Sequence, residues 1–229
     1  MLKFRAFEAR DTLSFMLAEH ISGALKNAIA KRGNATLVVS GGTSPVMLFH
    51  ALRRQVLPWR NVTVVPSDER LVPVDHKHSN EGMIRRELMC EKAAMAQFLS
   101  LVTVQAPDDE HLMNLNSRLD DLPRPLDMVV LGMGLDGHTA SLFPDSPNIA
   151  EALTCTDHCV AQYPAHIETG RISLSPALLL NAREIILLFF GSDKRAVYEL
   201  AMADRDVAAM PVRFLLNQSI TPVHIFWAP

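Results

Sequence analysis

Met128-Val129-Val130-Leu131 is an apolar run with a β-branched pair, and it leads directly into Gly132-Met133-Gly134-Leu135-Asp136-Gly137-His138. A short run of this kind, bounded by a glycine turn, reads as a buried strand. Glycine accepts positive φ and lets other atoms approach the backbone closely. Asp136 and His138 flank Gly137, and Thr139 and Ser141 add hydroxyls. A strand that ends on a glycine turn bearing Asp and His is where an open α/β sheet places its chemistry. The same letters satisfy G-x-G-x-x-G, but a dinucleotide site needs a long helix after the turn and an acidic residue at the end of the next strand. Pro144 interrupts seven residues after Gly137, and Asp157 precedes the next apolar run rather than ending it. A plain strand-to-helix turn with a core histidine would explain the glycines, but not the Asp-Gly-His cluster with two hydroxyls.

The pattern recurs earlier in the chain. Thr36 to Val39 reads as a short buried strand ending in Ser40-Gly41-Gly42-Thr43-Ser44-Pro45, and Val46 to Gln55 reads as a helix with proline suited to its first turn. Successive backbone N–H groups at such a turn form an anion site, to which serine and threonine hydroxyls add donors. The lysine of a Walker A sequence is missing, so a nucleoside triphosphate is not implied. An ordinary capped helix after a tight turn is the competing interpretation. Val62 to Val65 is the next strand, and it runs into Pro66-Ser67-Asp68-Glu69-Arg70, where charged residues past a strand end suit a ligand crevice as well as a solvated Asp–Arg loop. His76 and His78 lack a carboxylate or cysteine partner at fitting spacing and read as surface histidines. Ser79 to Met89 is a helix, with Ser79 or Asn80 at its cap.

Between and beyond these units the periodicity predicts a long amphipathic helix from Arg10 to Lys31 stopped by Gly33-Asn34, a strand over 101–104, and a helix from Asp108 to Leu119. After Pro144 it predicts a loop through Ala150, strands at Cys159–Gln162 and Arg171–Leu174, and a short helix from Ser175-Pro176. A strand at Glu184–Phe190, helices at Ala196–Ala203 and Pro211–Leu216, and a strand at Val223–Phe226 follow. Strands alternating with helices imply a Rossmann-like α/β fold, a mostly parallel sheet covered on both faces. No linker or repeat divides the 229 residues, so residues 1–229 are expected to form a single α/β domain. Net charge is −3 with Lys and Arg scattered, which argues against nucleic acid. The longest apolar run, Ile185 to Phe190, is too short for a membrane. MLKFRAFEAR has no signal-peptide core, and the odd count of Cys90, Cys155 and Cys159 suggests buried reduced thiols, so a cytoplasmic protein is expected.

Taken together, SGGTSP at 40–45, SDERLVPVDHKHSN at 67–80 and LGMGLDGHTASLFP at 131–144 resemble, in this order and spacing, the glucosamine-6-phosphate isomerase/6-phosphogluconolactonase family, and within it the lactonases. The run DGHTASLFP is the most specific part, and the resemblance extends from the first helix to the last strand. Two departures are small: Thr43-Ser44 stands where the family often has Ser-Thr, and Asp145 where glycine often follows Pro144. The resemblance implies a glucosamine-6-phosphate deaminase-like fold and hydrolysis of 6-phospho-D-glucono-1,5-lactone in the pentose phosphate pathway, with no metal and no cofactor. It also implies that Arg171 and Lys194 bind phosphate, beside the backbone of Gly41, Gly42 and Thr43 and the hydroxyls of Ser40 and Thr43, with Arg70 on the substrate in the same crevice. His138 is the expected base, since an ordinary imidazole is neutral and basic near pH 7. Asp136 or Asp68 would orient it, and N–H groups of the Gly132–Gly137 turn would face the oxyanion. The expected partner is the phosphosugar lactone alone, and the expected assembly a monomer or weak dimer. Two rivals share the fold. The deaminases continue DGH with I-A-F-N-E-P and read D-E-Y in the second loop, against TASLFP and DER here. Sugar-phosphate sensors of this fold normally carry an added helix-turn-helix domain, for which the pattern beginning by residue 36 leaves no space; an unfused sensor stays open, and a lactonase assay separates it from an enzyme.

Overall fold

The computed structural model describes residues 2–102, 107–167 and 169–229. Its main layer is a sheet built from Leu2–Ala6 (β1), Ala35–Val39 (β2), Val62–Pro66 (β3), Gln97–Phe98 (β5), Met128–Leu131 (β6), Ile185–Phe190 (β9) and Val223–Ala228 (β10). The order is β1-β10-β9-β6-β2-β3-β5, and every pairing is parallel. Alternate residues of each strand feed opposite faces, as the two-residue pleat requires. Met128 and Val130 of β6 and Ile186 and Leu188 of β9 join Leu13, Leu17, Ile21 and Leu25 of the helix Arg10–Arg32 (α1) in one core. Val129, Leu131, Ile185, Leu187 and Phe189 enter the other core, with Leu115 and Leu119 of Asp109–Asp120 (α4) and with Leu178 and Leu179 of Pro176–Leu180 (α6). A strand apolar along its whole length is what burial on both faces demands.

Between the main strands lie the shorter helices Val46–Leu52 (α2), Asn80–Glu87 (α3), Ile149–Thr154 (α5), Ser192–Met202 (α7) and Arg213–Leu216 (α8). No helix of the described residues is long and apolar enough to cross a membrane.

The expected elements are present with shifted ends, and several differ more. Asp68–Arg70 (β4) is a strand rather than a loop. It pairs antiparallel with Arg171–Leu174 (β8), which pairs antiparallel with Cys159–Gln162 (β7), so these three form a separate small sheet outside the parallel layer. Helix α5 occupies part of the expected loop, α2 stops after seven residues, and α7 begins at Ser192. The strand expected over 101–104 lies partly outside the described residues; Leu101 and Val102 are not in it, and the edge strand is Gln97–Phe98. All three cysteines are free, but only Cys159 is buried.

The chain passes from β2 to β3 on one side and returns to β6 on the other side of β2. The direction of winding therefore reverses between β2 and β6, the place where an open α/β sheet leaves a crevice at its carboxyl ends.

Candidate active site

Four neighbouring strands, β9, β6, β2 and β3, deliver their following loops to one rim, and the small sheet adds Asp68, Arg70 and Arg171. A cavity of about 390 Å³ opens there, lined by Ser40 through Pro45, Asp68, Arg70, Asn80, Gly132 to Gly134, His138, Phe143, Arg171 and Lys194. It therefore gathers nine of the ten residues expected at the site, and the tenth, Asp136, is hydrogen-bonded to His138.

His138 sits on the turn after β6. Its Nδ1 lies 2.6 Å from Oδ1 of Asp136, and its own backbone N–H donates to the same oxygen at 3.1 Å. Burial, the largest influence on Asp136, acts to raise its carboxyl, yet the His138 hydrogen bond and charge hold it below the usual carboxylate range. An ionised carboxylate can only accept, so Nδ1 carries the proton and Nε2 is the basic nitrogen. Gly134 makes room for this pair: a Cβ there would meet both the His138 ring and the Asp136 carboxylate. The ring also packs on Phe143, with centroids 4.2 Å apart.

Asp68, the alternative partner for His138, lies elsewhere in the hydrogen-bond network. It is 7% exposed, and its Oδ1 accepts from Ser67 Oγ at 2.7 Å while its Oδ2 accepts from Ser141 Oγ at 2.6 Å. With Ser67's hydroxyl given to Asp68, Ser40's hydroxyl donates to Ser67 Oγ at 3.1 Å, and Ser40 Oγ accepts from the Gly132 N–H, also at 3.1 Å. One buried chain of hydroxyls thus fastens all three loops to one carboxylate. In this arrangement the Ser40 hydroxyl bonds within the brace and Asp68 accepts from the loop hydroxyls, while the imidazole bonds to Asp136. Ser141, fully buried and bonded to Asp68, is part of the same brace.

The glycine turn is partly committed as well. Gly132 N–H meets Ser40, Gly134 N–H donates to the His138 carbonyl at 2.9 Å, and Gly137 N–H donates to the Gly134 carbonyl at 3.3 Å. The N–H groups of Gly132, Gly134 and Gly137 are therefore taken, while those of Met133, Leu135 and Asp136 meet no backbone carbonyl among the described residues. The 41–44 segment differs: among the described residues no backbone carbonyl meets the N–H of Gly41, Gly42, Thr43 or Ser44. Gly42 has φ +84°, and a Cβ on Gly41 would collide with the Asn80 side chain, so both glycines are required by the loop's shape.

Three cations border the cavity. Arg70 Nη1 donates to the His78 carbonyl at 2.6 Å and to Asn80 Oδ1 at 2.7 Å, which fixes its head. Arg171 is 7% exposed and lies 5.5 Å over the Phe143 ring; burial, then the charge of Arg70, lowers its pKa. The two arginines are register partners across β4 and β8. Lys194 Nζ donates to the Met133 carbonyl at 2.5 Å, and burial lowers its pKa against the pull of Asp136.

Sequence reasoning missed Glu69, Asn80 and His166. Glu69 is 2% exposed and accepts from the N–H groups of Arg70, Asn80 and Glu81 and from Ser79 Oγ, tying β4 to the start of α3. Burial raises its pKa against those four donors. Its position inside a charged stretch was the only signal. Asn80 was read only as a cap; Ser79 is the cap, accepting from Gly82 N–H at 3.0 Å. His166 lines the cavity beside Phe143 and is bonded to Asp145. Among the described residues His76 and His78 join no cluster of metal-ligating groups.

The sequence model of the family described as glucosamine-6-phosphate isomerases/6-phosphogluconolactonase matches residues 8–227. A 6-phosphogluconolactonase of Pseudomonas aeruginosa is 40% identical over 215 residues, covering 93% of this chain and 89% of that protein. The crystal structure of a 6-phosphogluconolactonase from Shewanella baltica superposes with a TM-score of 0.97 at 40% identity, over 100% of this chain and 98% of that one. A monomeric glucosamine-6-phosphate deaminase, 17% identical, has a TM-score of 0.79 over 99% of this chain and 97% of that one, a likeness of fold alone. By the extent of the match along its whole length, the chain belongs to the glucosamine-6-phosphate isomerase/6-phosphogluconolactonase family.

Proposed function

We propose that this chain hydrolyses 6-phospho-D-glucono-1,5-lactone to 6-phospho-D-gluconate in the oxidative pentose phosphate pathway, by base-assisted attack of water. The observation that carries this reading is the presence, in one cavity, of a histidine–aspartate pair and a loop of open backbone N–H groups bordered by two half-buried or buried cations. The substrate supplies a matching pair of features, a reactive ring ester and a phosphate dianion.

The phosphate is held by the N–H groups of Gly41, Gly42 and Thr43, the Thr43 hydroxyl, and the charges of Arg171 and Lys194. Charge-assisted hydrogen bonds of this kind are about twice as strong as neutral ones. Arg70, its head fixed by Asn80, contacts the sugar. His138 Nε2 takes a proton from water as the water oxygen bonds to the lactone carbonyl carbon. The tetrahedral oxyanion then collapses, the ring C–O bond breaks, and the leaving ring oxygen recovers the proton from Nε2. Asp136 holds the imidazole in the required tautomer and stabilises the transient imidazolium. An imidazole suffices to activate water toward so reactive an ester, so the proposed route uses neither metal nor cofactor. The enzyme is taken to work in the cytoplasm as a monomer or weak dimer.

The test is a coupled assay with freshly prepared phosphogluconolactone, corrected for spontaneous hydrolysis, run with and without chelator and alongside deamination of glucosamine 6-phosphate. Lactonase turnover that survives chelation is expected. Its absence, or a deaminase rate that exceeds it, overturns the reading.

A further inference from the structure

At the opposite end of the sheet from the cavity, three ligating side chains converge. Glu184 immediately precedes β9, His224 is the second residue of β10, and His20 projects from the middle of α1. His224 lies in register with Ile186, whose side chain belongs to the core beneath α1, so both histidines address the same face. One ligand atom from each residue lies within 4.8 Å of the other two. His20 Nε2 is 2.7 Å from Glu184 Oε1, and His224 Nδ1 is 2.8 Å from that same oxygen.

Hydrogen bonding accounts for only one of these two contacts. The His20 contact has hydrogen-bond geometry, whereas His224 Nδ1, buried and 2.8 Å from the carboxylate, makes no hydrogen bond among the described residues. Two nitrogens and a carboxylate crowd one small volume, and one nitrogen is left without a hydrogen bond. We infer that this cluster is a binding site for a divalent transition metal of the zinc type, remote from the catalytic cavity. Two histidines and a glutamate form a recognised donor set for zinc, with the fourth position left to water. A tetrahedral ion with bonds of about 2.1 Å holds its ligand atoms about 3.4 Å apart, so the two histidines would each move back from the carboxylate by about 0.6 to 0.7 Å from their present 2.7 and 2.8 Å to admit it. Side-chain exposures of 33% for His20, 17% for Glu184 and 13% for His224 leave the open position on the solvent side, next to the helix. Lys3 and Arg5 of β1 are the charged neighbours, and they oppose a cation. Their repulsion weakens the binding of any divalent cation, and the two imidazole donors favour transition metals over calcium and magnesium. A bound metal would join α1 to β9 and β10, tying the longest helix to the sheet centre.

The full-length chain, stripped with chelator and dialysed, is titrated with Zn2+ by calorimetry, and with Co2+ by visible absorption. One saturable equivalent of Zn2+ is expected, with a cobalt spectrum of four-coordinate type. In both His20→Gln and His224→Gln the tightest equivalent should weaken at least about tenfold, the size of effect that follows loss of one ligand or its support, while lactonase turnover and far-UV circular dichroism stay as in the parent. A wild-type chain with no saturable equivalent overturns the inference without recourse to variants. So does a tightest equivalent that weakens less than tenfold in either folded variant.

Discussion

Gly134→Ala is a one-carbon change whose effect can be worked from the geometry of the histidine–aspartate pair. A Cβ at position 134 would lie 2.5 Å from Asp136 Oδ1, about 0.9 Å short of the 3.4 Å at which ordinary contact begins, and the His138 ring stands closer still. No positive φ is needed at Gly134, so the backbone itself tolerates alanine. The collision must therefore be relieved by moving the imidazole, the carboxylate, or both, at the cost of their 2.6 Å hydrogen bond or of the ring's aim. A displacement of about 1 Å in a catalytic group costs roughly 100-fold in rate, equal to about 2.7 kcal/mol of transition-state stabilisation. Since the proposed phosphate contacts lie on other loops, KM should change little. Steady-state kinetics on fresh lactone, with thermal unfolding to show that the fold persists, measure this. A kcat within threefold of the parent would show that the pair is not held in a catalytically demanding position.

Replacing His138 by alanine should lower kcat by about 10² to 10⁴, the usual contribution of a positioned base; full turnover in that variant removes His138 from the role. Lys194→Ala and Arg171→Ala should raise KM more than they lower kcat. In the parent chain inorganic phosphate at ten times its Kd should stabilise the fold by about 1.4 kcal/mol, and in these variants by less at the same concentration, as read by thermal shift. Asp136 has a folded pKa below its ordinary 3.8, so its pairing stabilises the fold above that value and ceases to do so as pH falls through the folded one. Urea unfolding should therefore show Asp136→Asn less stable than the parent at pH 7, with the difference shrinking toward pH 3; a gap that widens in acid contradicts the assignment. Burial pushes the Cys159 thiol up to about 12, so in the native protein at pH 8 it should resist alkylation that reaches Cys90, and mass spectrometry of labelled peptides tells them apart.

The parallel sheet was legible because its central strands are largely apolar and run into turns rich in glycine, serine or proline, and because burial on both faces leaves little else for such runs to be. The three loops could be read as one site for the same reason, since parallel strands must end on a common rim. The small sheet was not legible. Its first strand is Asp-Glu-Arg, three charged letters with no alternation to mark a buried face, and it forms only because Glu69 finds four donors and Asp68 finds two hydroxyls. β1 escaped notice because Phe4 is flanked by Lys3 and Arg5 on a largely exposed edge. The division of labour between Asp136 and Asp68 was left open by spacing alone, because either carboxylate could be brought to the imidazole until the serine chain claimed Asp68. The glycine turn promised free N–H groups, but close turns also bring carbonyls within reach of them, and only coordinates show which N–H groups have been used.

Arg70 and Arg171 occupy facing rungs of one antiparallel ladder. Like charges placed opposite each other repel, and the nearby carboxylates of Asp68 and Glu69 offset part of that repulsion at Arg171. Because the strands share a register, neither arginine can be relocated alone: inserting or deleting one residue in β4 or β8 would turn the downstream side chains to the opposite face and take a positive charge out of the cavity. Variation that retunes which sugar is accepted is therefore expected in the flanking loops, around His166 and the 41–44 segment, while the paired strands hold their lengths.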